Sequence, residues 1–187
     1  MYHILIKLNN KDANNTANDF WYPLDNAAKI YPAIKSKELT IVFRISAVLK
    51  ERVKIIHLQN AIQKIDKRFP YFKVRLRKGF FWYYLEYADL PVIVEPDNKA
   101  PCREFNDKNS LLFRILVFRN RISVEFSHIL TDGTGALNFF RALLIEYFKQ
   151  DGCVVSNELD YHRPDIIFSE EEFEDSYNRY FQKNIPP

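Results

Sequence analysis

The sequence predicts an α+β sandwich, a mixed, largely antiparallel β-sheet with helices packed on it. Apolar and polar residues alternate from Leu39 to Ala47 and again from Phe72 to Arg77. Two strand-like runs, LLFRILVF and RISVEFS, flank Arg119 and Asn120. Two longer segments repeat apolar residues at the three- and four-residue steps of a helix.

A chain of 187 residues suits one well-cored domain, and the 16% of aromatic residues implies a core of large side chains. The formal charge of +3 is too small by itself to predict a nucleic-acid or anionic-membrane partner. Cys102 and Cys153 lack ligand spacing, which points to reduced thiols in a cytoplasmic protein. No basic leader or apolar run of membrane-spanning length is evident, so no membrane span is expected.

Residues 1–19 read as a mobile segment, followed by the aromatic, proline-containing lead-in FWYPLDNAAKIYPAI. From Leu39, Ile41, Phe43, Ile45 and Ala47 share one face of a strand, with Thr40, Arg44 and Ser46 on the other. Ile55, Leu58, Ile62, Ile65 and Phe69 then mark an amphipathic helix expected to end at Pro70. Phe72, Val74 and Leu76 alternate with Lys73, Arg75 and Arg77, and FFWYYLEY folds back beyond Gly79 as a hairpin partner. Residues 91–110 form a loop around a short PVIVEP strand.

The hairpin about Arg119 and Asn120 comes next, its first strand apolar on both faces as a covered central strand would be. Leu137, Phe140, Leu144 and Tyr147, widened by Ala136, Leu143 and Phe148, then stripe a second helix. Residues 151–187 read as a tail or crossover, with a short helix expected from Ser169.

The chemistry concentrates at SHILTDGTG. His128 shares parity with Ile122, Val124 and Phe126, so its ring is expected to point inward at the end of a strand. Two glycines place Asp132 on a strand-to-helix turn, with Thr134 as the expected N-cap. Spacing alone leaves two roles open for His128, a hydrogen-bonded structural residue or a catalytic one. Metal ligation is disfavoured, because the glycines break the helical face that an H-x-x-x-D pair needs and no third ligand is near.

His128, Asp132 and Gly133 in this context resemble the H-x-x-x-D-G motif of the CoA-dependent acyltransferase superfamily. That superfamily includes alcohol acetyltransferases, plant BAHD acyltransferases, chloramphenicol acetyltransferase and nonribosomal condensation domains. The order of elements from about residue 20 to 150 is similar to the superfamily's N-terminal lobe. The segment YPLDNAAK, from Tyr22 to Lys29, resembles the opening of bacterial alcohol acetyltransferase-like proteins. Condensation domains usually carry two adjacent histidines where this chain has Ser127 and His128.

The resemblance implies a chloramphenicol acetyltransferase-like lobe in which His128 is the general base toward an alcohol acceptor, with acyl-CoA, such as acetyl-CoA, as co-substrate and no tightly bound cofactor. It implies that Asp132 and Gly133 support the turn, Asp132 by pairing with an arginine; Arg44 and Arg114 are the candidates. It also implies a second lobe or partner subunit, because the enzymes it resembles have two lobes and the second supplies an oxyanion donor. Losing such a donor costs about a hundredfold or more in rate, so the isolated chain is expected to be inactive. The alternatives are a non-catalytic binding or interaction lobe and a condensation-like lobe. The aromatic run FFWYYL is expected in the core or along a substrate channel; for the basic residues Lys64, Lys67, Arg68, Lys73, Arg75, Arg77 and Lys78 the two readings are contact with CoA phosphates or RNA and, favoured by the alternation of the strand members, a solvated face.

Overall fold

The computed structural model describes residues 21–24, 28–34, 40–105 and 109–154. Leu39, the expected mobile segment 1–19 and residues 155–187 of the expected tail, including the helix anticipated at Ser169, lie outside the described residues.

Among the described residues the strands and α-helices are β1 (Trp21–Pro23), α1 (Tyr31–Ile34), β2 (Val42–Val48), α2 (Ile55–Asp66), β3 (Val74–Lys78), β4 (Tyr83–Tyr87), β5 (Val94–Pro96), β6 (Phe113–Phe118), β7 (Arg121–Ser127) and α3 (Gly133–Gln150). The strands divide between two sheets, ordered β1-β4-β3 and β2-β7-β6-β5. All the pairings are antiparallel except that of β5 with β6. The expected α+β architecture is therefore present, with the first hairpin joined by β1 in a separate, smaller sheet.

Register separates the larger sheet into two chemically different faces. Phe43 pairs with Phe126, Ile45 with Val124 and Ala47 with Ile122, while Phe113 and Ile115 extend the same rows onto β6. These side chains meet Leu58, Ile62 and Ile65 of α2 and Phe139, Phe140, Leu143 and Tyr147 of α3 in the main core. Its centre is aromatic: Phe72 stacks on Phe139 at 4.9 Å between ring centroids, and Phe113 meets Phe139 edge-on at 5.1 Å.

Both helices depart in detail from the sequence pattern. α2 stops at Asp66, and Phe69 is buried from the turn beyond it, because Pro70 opens a short 3-10 turn. Ile55 lies in the first turn of α2, 42% exposed. In α3, Leu137 is 46% exposed and Phe139 takes the inward place, since the buried stripe runs through Ala136, Phe139, Phe140, Leu143 and Tyr147.

The opposite face of the larger sheet carries Arg44, Glu125 and Arg114 in one cross-strand row. Glu125 is 1% exposed and receives Arg44 Nε at 2.8 Å, Arg114 Nε at 2.6 Å and the Cys102 backbone N–H at 2.7 Å. Burial pushes its carboxyl up, but these donors outweigh the desolvation and hold it below the usual carboxylate range. Asp97, beyond β5, is likewise raised by burial and lowered further by Arg44 and Arg121. The loop carrying Cys102 to Phe105 covers this row: Arg114 donates to the Arg103 carbonyl and its guanidinium lies 4.4 Å from the centre of the Phe105 ring.

A second core of Leu24, Ala28, Ile41, Val74, Leu76, Leu112 and Ile129 joins the smaller sheet to the larger. Tyr83 and Leu85 pack against it, whereas Phe80, Phe81 and Trp82 protrude from the hairpin tip. The aromatic run is thus divided between the core and an exposed tip. Of the basic residues, Arg75 and Arg77 share Glu86, Lys73 meets Asp66 and Asp89, and Lys64 meets Glu146.

Candidate functional site at the strand-to-helix turn

The site begins where β7 ends. The His128 backbone N–H donates to the Ile41 carbonyl at 2.9 Å, which anchors the residue beside β2 just past the last ladder pair. Ser127 shapes the turn beyond it: its side-chain oxygen accepts from the Ile129 N–H at 3.2 Å and its carbonyl from the Leu130 N–H at 2.9 Å. The chain reverses within a few residues, and α3 begins.

Asp132 is the N-cap of α3. Its backbone is extended and its Oδ1 accepts from the Gly135 N–H at 2.8 Å. The expected cap, Thr134, lies inside the first turn instead, because Asp132 already supplies an acceptor to a free helix N–H. Gly133 is exposed and a Cβ there would meet nothing within 4 Å, so the fold imposes no steric need for glycine at this position. Gly135 differs, since a Cβ there would collide with Thr131 Oγ1.

The expected pairing of Asp132 with Arg44 or Arg114 is not formed. Both arginines lie on the polar face of the sheet and are engaged by Glu125 and, for Arg44, Asp97. Parity is the reason: Arg44 and Arg114 point away from the helices, whereas the His128 ring contacts Phe43 on the helix-covered face. Asp132 holds the turn through its cap.

His128 is half-buried, clamped between two aromatic rings. Phe43 stacks at 4.3 Å with 30° between planes, and Tyr31 at 5.2 Å with 15°. No side chain among the described residues hydrogen-bonds to either ring nitrogen. The imidazole is therefore oriented by its faces, and no described side chain holds its edge. A cleft of about 480 Å³ lined by Pro91, Glu95, Arg103, Phe105 and Arg114, among others, includes no residue of this turn. Among the described residues no group of three His, Cys, Asp or Glu could hold a metal, and no helix is long and apolar enough to cross a membrane.

No family model and no curated protein sequence matches the chain. Solved structures do. The starter condensation domain of rhizomide synthetase RzmA superposes with a TM-score of 0.59 at 11% identity, over 74% of this chain and 40% of that one. The X-domain from teicoplanin biosynthesis gives 0.58 at 15% identity, over 79% and 38%. The fold is that of a condensation-domain lobe. A variant of the RzmA domain solved in complex with C8-CoA gives 0.56 at 12% identity, over 68% of this chain and 35% of that one. The chain thus spans about two fifths of the length of these structures.

Two participants escape sequence reasoning. Parity places Phe43 on the inward face, but its stacking partner emerges only with the fold. Tyr31 sits in a lead-in without periodicity, and no local signal ties it to a residue 97 positions later. Glu125 has a legible signal, a lone acid at outward parity between strands that each carry an arginine.

Proposed function

We propose that the chain is the N-terminal lobe of a CoA-dependent O-acyltransferase, with His128 as the general base. The carrying observation is the clamped, half-buried imidazole whose ring nitrogens meet no protein partner among the described residues, at a strand-to-helix turn. An acceptor hydroxyl gives its proton to a ring nitrogen as its oxygen attacks the thioester carbonyl. Collapse of the tetrahedral adduct breaks the C–S bond, and the imidazolium returns the proton to the departing CoA thiolate. Ester and free CoA leave, and the base is regenerated. Asp132 positions the turn and Gly133 keeps side-chain atoms out of its exposed front.

A second lobe or a partner subunit completes the site in this reading, supplying donors to the developing oxyanion. The neighbours' identity as condensation domains favours one alternative, a lobe of the same fold serving an amine nucleophile. Ser127, with no second histidine beside His128, favours the hydroxyl.

The test measures thiol release from acyl-CoA with alcohol and amine acceptors, for the chain supplied with its completing lobe and for His128→Ala. Alcohol-dependent release lost in His128→Ala supports the proposal. Equal rates in the two proteins eliminate the base, and release with amines alone assigns the condensation reading.

A further inference from the structure

The β3–β4 hairpin ends in a feature that neither the core nor the His128 turn uses. Phe80, Phe81 and Trp82 are 91%, 88% and 60% exposed, and the first two rings touch each other at 5.5 Å. A run of three bulky apolar side chains in water calls for an occupant. The turn presenting them is firm: the Gly79 N–H donates to the Trp82 carbonyl at 2.7 Å, and Tyr83 below is anchored in the second core.

The collar behind the tip is basic. Lys73 is paired with Asp66 and Asp89, but from Arg75 to Tyr87 the sequence holds three cations and one carboxylate, Glu86, which both Arg75 and Arg77 share. Lys78, next to the turn, lies 5.9 Å from the Tyr83 ring centre and meets no carboxylate among the described residues. The net charge of the whole chain gives no hint of this local surplus.

We propose that this tip docks on an anionic phospholipid surface, its three aromatic rings entering the interfacial layer while Lys78 and the excess guanidinium charge face the headgroups. Phenylalanine and tryptophan beside cations suit that layer. Shape argues the same way: a protein interface normally engages about 20 residues on each side, whereas this tip projects three side chains from one narrow ribbon.

The experiment floats the full chain with vesicles of phosphatidylcholine alone or mixed with phosphatidylglycerol, at low and high salt. Partition onto the anionic vesicles is expected, weakened by salt, accompanied by a blue shift of tryptophan emission. The triple variant Phe80→Ser, Phe81→Ser, Trp82→Ser should bind at least about tenfold more weakly while melting like the parent. Lys78→Gln should weaken binding to the mixed vesicles only. Absent partition, or equal partition of parent and triple variant, overturns the proposal. So does a dimer in solution that the triple variant abolishes, since the tip would then serve a second copy.

Discussion

The Phe43 ring lies 4.3 Å from the imidazole of His128, so the strand opposite β7 fixes the plane of the proposed base. Phe43→Leu keeps an apolar side chain against the core but removes the stack. Because small misplacements of a catalytic group cost up to about a hundredfold, the proposed role of His128 predicts that kcat of the two-lobe protein falls by about ten- to a hundredfold. KM should change little, and the melting temperature should stay close to the parent's. Steady-state kinetics beside a thermal melt check this; a variant with unaltered kcat would remove the clamp from the account.

Asp132 acts on α3 as a cap. Asp132→Ala should cost about 1 kcal/mol, while Asp132→Asn, which retains an acceptor, should cost a few tenths at most. Denaturant titration of the two variants measures it. A large loss in both would instead require a charged partner.

Glu125 links two arginines across three strands, and the whole row is covered by the Cys102 loop. Glu125→Ala leaves two largely buried guanidinium groups competing for the remaining acceptors, at a cost of about 3 kcal/mol or more. The pH dependence comes from the lowered carboxyls of Glu125 and Asp97. A group whose folded pKa lies below its unfolded value stabilises the fold at every pH above the unfolded value. That contribution shrinks as pH falls through the ordinary carboxylate range and is gone below the folded pKa. Unfolding free energy should therefore hold steady at neutral pH and decline under acid, with a shallower decline in Glu125→Gln. Urea titrations across pH test the sign.

Gly135 and Thr131 form a steric pair at the start of α3. Helix propensity would favour alanine over glycine by up to about 1 kcal/mol. The clash with Thr131 Oγ1 should override that gain, making Gly135→Ala destabilising in the parent. In a Thr131→Ala background the same substitution should be neutral or stabilising. A double-mutant cycle reads the coupling directly.

The strands and helices were legible because each buries one face, and periodicity records which. The inward parity of Phe43, Ile45 and Ala47 and the hairpin about Arg119 appear as the pattern implied. Helix detail was less legible: Leu137 and Phe139 are both apolar, and only the angle at which α3 meets the sheet decides which is buried. Parity already puts Arg44, Arg114 and Glu125 on one face, away from the turn that carries Asp132, and register adds that the three stand in one cross-strand row. Tyr31 reaches His128 through tertiary packing, which leaves no trace in local spacing.

The turn bearing His128 belongs to two cores at once, Phe126 rooted in the larger and Ile129 in the smaller. A minimal protein trimmed to the larger sheet and its two long helices would keep every atom of the imidazole yet strip Leu24, Ala28, Val74 and Leu76 from the core that holds Ile129. The geometry of the proposed base is thus a joint property of two modules, and engineering that swaps the small sheet would shift His128 without touching it.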